Sequence, residues 1–103
     1  MKYLLRFSFS NEAGNEALRD PQFGEKMKQY LGDVKAEAAY FSAIDGQRGG
    51  YIVLNIDEAS QIPAIAEPLF FWLEADMEFI PVMTPADLQK AGPSIAAAVQ
   101  KWG

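Results

Sequence analysis

The stretch Asp45-Gly46-Gln47-Arg48-Gly49-Gly50 lies between two runs of β-forming residues, Ala38–Ile44 and Tyr51–Ile56. An Asp-Gly step with further glycines, flanked by such runs, predicts a β-hairpin at the middle of the chain. The glycines are expected to supply positive φ and to let the hairpin close, with Arg48 solvated at its tip. They do not form a phosphate loop. The segment leads into a strand, so no helix N-terminus follows to hold a phosphate.

The remaining elements are read outward from that hairpin. Tyr3, Leu5, Phe7 and Phe9 alternate with Lys2, Leu4, Arg6 and Ser8, the period of a strand with one apolar face. Asn11–Arg19 contains Gly14 and many polar residues and reads as a loop or a frayed first helical turn. Asp20-Pro21 predicts a helix start, Phe23, Met27, Tyr30 and Leu31 its buried face, and Gly32 its stop. Strand two covers Lys35–Ile44 and strand three Tyr51–Ile56. A second helix follows Asp57–Ser60, with Ile65, Leu69 and Leu73 in its stripe and a kink or break expected at Pro68. Strand four is Met77–Met83, and Pro81 assigns it to a sheet edge. Thr84-Pro85 starts a short helix, Gly92-Pro93 breaks it, and Ser94–Trp102 forms the last one.

The order β-α-β-β-α-β is the ferredoxin-like plan: an α+β fold in which helices cover one face of a four-stranded antiparallel sheet. Residues 1–103 read as a single domain of this kind with extra C-terminal helices. With the helices on the face of Tyr3, Leu5, Phe7, Ile52, Leu54 and Ile56, the open face carries Leu4, Arg6, Ser8, Tyr51, Val53 and Asn55. A face this mixed suits a second copy packed against it around a small, partly polar cavity. Ile95, Val99 and Trp102 of the last helix are placed to reach that partner, so a homodimer is expected.

Composition removes several function classes. The chain has no cysteine and no histidine. Disulfides, iron–sulfur clusters, thiolate zinc sites, histidine-bound haem and the usual general base at neutral pH are therefore ruled out. No carboxylate spacing matches a calcium loop, so no metal and no cofactor is expected. A net charge of −5, with no basic stripe, argues against nucleic acid and against an anionic membrane surface. Arg6 interrupts the first apolar stretch after three residues, too early for a secretory signal. No run has the length of a transmembrane helix, and the cytoplasm is the expected compartment.

Four segments carry a family likeness: Met1-Lys2-Tyr3-Leu4, Asp45-Gly46-x-Arg48-Gly49, Asn55-Ile56-Asp57 and Glu78-Phe79-Ile80-Pro81-Val82-Met83. Over roughly residues 1–90 the chain resembles a small bacterial family of dimeric α+β-barrel proteins of unknown function. The resemblance implies two ferredoxin-like protomers whose sheets close into one barrel. It also implies kinship in fold with small monooxygenases, a muconolactone-type isomerase and haem-degrading enzymes. Asn55 stands where the resemblance leads one to expect an acidic residue.

The candidate ligand-binding residues are Arg6, Tyr40, Tyr51, Asn55 and Glu78. Arg6 is the one cation in the interior of the first strand, and Glu78 is expected opposite it. Together they read either as an anion-binding guanidinium oriented by a carboxylate or as an ion pair that sets dimer register, and the ion pair carries more weight. Tyr40, Tyr51 and Asn55 individually read as cross-strand packing residues with a wetted tip, and as a cluster they supply hydroxyl and amide contacts. The expected function is a homodimeric barrel binding a small polar-aromatic ligand between its sheets, with no catalytic residue assigned. The alternative is a cofactor-independent monooxygenase or isomerase in which the same side chains position the substrate and move a proton. A third reading is an interaction module using Trp72 and Trp102.

Overall fold

A computed structural model describes every residue from Met1 to Gly103. The sheet contains β1 (Lys2–Phe9), β2 (Ala38–Ile44), β3 (Gln47–Asn55) and β4 (Asp76–Pro81). All pairs are antiparallel and the spatial order is β2-β3-β1-β4. The helices are α1 (Asn11–Leu18), α2 (Phe23–Asp33), α3 (Ile62–Leu73), α4 (Pro85–Lys90) and α5 (Gly92–Trp102), with a 3-10 turn at Ala59–Gln61 before α3. This is the ferredoxin-like arrangement, with β4 at an edge as Pro81 requires. No helix is long and apolar enough to cross a membrane.

The core lies between one sheet face and helices α1–α3. Leu5 and Phe7 from β1, Ile52 and Leu54 from β3, and Leu69 and Leu73 from α3 are its most completely buried side chains. Met27 and Tyr30 of α2 join them. The Tyr30 hydroxyl donates to the Ile65 carbonyl oxygen at 2.7 Å, tying α2 to α3 inside the core. Burial also pushes the Tyr30 phenol up to about 12, because the charged form would lose its hydration there.

The central turn is much tighter than the sequence suggests. Ile44 pairs with Gln47, leaving only Asp45 (φ 52°) and Gly46 (φ 80°) in the loop. Two central residues with positive φ make the turn that matches strand twist. Gly49 and Gly50 therefore belong to β3 and contribute no positive φ. Both are buried, and a Cβ on Gly49 or Gly50 would collide with the carbonyl oxygen of Phe7 or Tyr40 respectively. These glycines permit close approach of the neighbouring strands. Phe41, opposite Gly50, sets its ring edge-on to Phe7 at 6.3 Å and covers the gap.

Other boundaries also differ from expectation. Residues 11–18 form a helix because the Ser10 hydroxyl accepts from the Ala13 backbone at 3.0 Å and caps it. Arg48 is anchored on that helix, donating to Asn15 Oδ1 at 3.0 Å. Helix α2 runs through Gly32 to Asp33, and Lys35 takes the left-handed position beyond it. Helix α3 continues through Pro68. Pro68 is exposed, so the carbonyl it leaves unpaired faces water and the helix does not break.

Candidate functional site

The helix-free face of the sheet is organised in rows set by strand register. One row runs Ala38, Val53, Leu4, Ile80; the next runs Tyr40, Tyr51, Arg6, Glu78; the third runs Ser42, Gly49, Ser8, Asp76. Directly paired residues share a face, so each row is a line of neighbours about 14 Å long. Four of the five candidate residues thus fall in one row across all four strands. Asn55 does not. It lies four positions along β3, opposite Lys2, and donates to Glu37 Oε1. Lys2 pairs with the other oxygen of that carboxylate.

Glu78 lies opposite Arg6 in register, as expected. The ion pair, however, forms with the tip of the hairpin. Arg6 Nη2 lies 3.1 Å from Asp45 Oδ2. The Tyr51 hydroxyl is the largest influence raising the Arg6 pKa, partial burial opposes it, and the Asp45 carboxylate adds to the rise. Arg6 is therefore a permanent cation on this face. Asp45 is the site residue that sequence reasoning passed over. Its own position announces a turn, and nothing local indicates that the turn reaches strand β1.

Arg6, Ser8, Asp45, Asp76 and Glu78 line a shallow hollow of about 160 Å³. Larger surface hollows exist, of about 690 Å³ beside the start of α3 and about 550 Å³ between α1 and α3. The smaller hollow is the better candidate because it alone adjoins a line of phenols and a fixed guanidinium on an uncovered sheet face. An apolar cleft of about 370 Å³ between α2 and the hairpin is walled by Phe9, Leu18, Phe23, Met27 and Phe41. Of the aromatic run Phe70-Phe71-Trp72, Phe71 points to solvent, while the Trp72 ring packs on Phe23 at 5.2 Å.

The fold and the face together define a ferredoxin-like α+β domain with one uncovered, polar-centred sheet surface. The chain belongs to a family described as a domain of unknown function, DUF3303, which matches residues 1–96. No curated protein matches the chain.

Proposed function

We propose that two copies pair through their open sheet faces and hold a small anionic aromatic ligand between them. The observation that carries this is the row Tyr40–Tyr51–Arg6–Glu78. A guanidinium supplies charge, two phenols supply ring faces and hydroxyls, and a carboxylate closes the line. Such a set suits a planar carboxylate: the guanidinium takes its two oxygens in a fork and the phenol rings take its apolar body. A hollow of about 160 Å³ is smaller than the roughly 300 Å³ at which ligand pockets begin. Two half-sites facing each other reach that range, and the apolar row of Val53, Leu4 and Ile80 provides a dry border.

The test is titration with benzoate and 4-hydroxybenzoate, followed by calorimetry, together with native mass spectrometry of the intact protein. The expected species has twice the chain mass of 11.4 kDa, and binding is lost in Arg6→Met. A monomer at every concentration would overturn the pairing. Unchanged binding in Arg6→Met would overturn the ligand site.

A further inference from the structure

Helices α4 and α5 bury no residue, and the core cluster ends at Ala75. The molecule measures 58 × 27 × 21 Å with a radius of gyration of 17.3 Å. A compact chain of this length has a radius near ~13 Å. Strand β1 spans about 27 Å, and the helical run from Pro85 to Trp102 spans up to about 27 Å. The long axis is therefore one sheet length plus one arm length, and the arm leads away from its own sheet.

The surface area gives the same picture. The chain exposes 7163 Å², where a compact monomer of its mass exposes about 5,800 Å². The excess exceeds the ~800 Å² that each partner buries in an interface of standard size. The arm is also built to be covered. Ile95, Val99 and Trp102 recur at helical spacing, Leu88 and Met83 extend the apolar surface, and all five are exposed, Trp102 at 80%. The family match runs through α4 into α5, so these helices are part of the domain pattern. Lys90 and Lys101 against Asp87 give the arm a side-chain charge of +1, while the remainder of the chain carries −6 of the total −5.

We infer that α4 and α5 form an exchanged arm. In a pair of copies, each arm crosses to the other chain and lays its Ile95–Val99–Trp102 stripe on the rim of that copy's open face. It thereby seals one end of the space between the sheets. This rests on the face-to-face pairing proposed above. A second copy is the occupant because it answers both unpartnered surfaces at once: a two-fold pair gives each arm an equivalent seat, and a weakly basic arm meets an acidic body. Exchange also makes the inter-sheet space depend on both chains, since each contributes a wall and a closure.

Trp72→Phe in the full chain leaves Trp102 as the only tryptophan. At concentrations where sedimentation gives a dimer, Trp102 emission is expected to be blue-shifted, moving to the solvent-exposed wavelength on dilution with the same midpoint as dissociation. Ile95→Asp/Val99→Asp is expected to weaken the dimer about tenfold or more, with unchanged far-UV circular dichroism because neither side chain is buried. A dimer with solvent-exposed Trp102 emission, or an unweakened double variant, overturns the arm and leaves the pairing standing. A monomer at all concentrations overturns both. Blue-shifted emission in a monomer places the arm on its own chain and overturns the exchange.

Discussion

Arg6 sits directly opposite Glu78 on the neighbouring strand yet makes its ion pair with Asp45, at 3.1 Å, from a hairpin tip thirty-nine residues away in sequence. The pair spans the open face from β1 to the β2–β3 turn. Asp45 is well exposed, so solvent screens the contact and it adds little to stability. Its greater effect is on availability, since the carboxylate occupies one side of the guanidinium that a ligand anion would use.

Asp45→Asn is accordingly expected to leave folding stability nearly unchanged and to strengthen benzoate binding several-fold. Denaturant unfolding and calorimetric titration of the same sample measure both. Weaker benzoate binding in the variant would mean that the carboxylate orients Arg6 and does not compete for it.

Gly50→Ala places a methyl group against the Tyr40 carbonyl oxygen in the middle of a paired strand. Neither backbone can withdraw without giving up ladder hydrogen bonds, so a loss of about 3 kcal/mol is expected. Gly46→Ala meets no atom within 4 Å and is strained only by its φ of 80°. It should cost about 1 kcal/mol. Urea midpoints of the two variants, compared side by side, test whether close approach outweighs turn geometry.

Tyr30→Phe removes the only side-chain donor to the Ile65 carbonyl inside the core and should cost about 1–2 kcal/mol. The phenol's folded pKa, about 12, lies above its ordinary value of 10.0. Its contribution is therefore fully present below pH 10 and lost as pH rises through 12. Absorbance at 295 nm during alkaline titration should show one tyrosine ionising last, and that step should be missing in the variant.

At the acid end, Lys2 and then Asn55 hold the Glu37 carboxyl below its ordinary value. A lowered folded pKa gives stability that is present above the unfolded value, about 4.3, and lost as pH falls through the folded one. Lys2→Met should lower the thermal midpoint at pH 7, and the gap from the parent protein should narrow as pH falls below the unfolded value of about 4.3. A gap that does not narrow on acidification would point to lost packing of the lysine stem and not to charge.

Much of the architecture was legible because period-two alternation survives in β1 and in residues 51–56. Tyr3, Leu5, Phe7 and Phe9 against Leu4, Arg6 and Ser8 specify two faces regardless of partners. The edge position of β4 followed from Pro81, and the start of α4 from Thr84, whose hydroxyl accepts from the Asp87 backbone at 3.1 Å. Helix α1 was obscured by Gly14 and its polar neighbours, although Ser10 was available as its cap. Gly49 and Gly50 read as turn residues because glycine serves flexible loops and tight strand contacts equally well, and only the neighbouring carbonyls distinguish the two.

By itself the sequence determined which side chains share a face in β1 and in residues 51–56, because alternation is a property of each strand alone. It also determined what chemistry is missing, because no cysteine or histidine is available to supply it. The tertiary structure decided which of those side chains are neighbours. Tyr40, Tyr51, Arg6 and Glu78 align because the two-residue turn sets the β2–β3 register and the hydrogen-bond ladders of β1 set the other two. Asp45 reaches Arg6, at 3.1 Å, because the β1–β3 pairing lays the hairpin beside β1. The arm stands free because α1–α3 already cover the apolar face of the sheet, and α4 and α5 bury no residue of their own. Each of these depends on contacts between residues far apart in the chain, and local spacing carries no record of them.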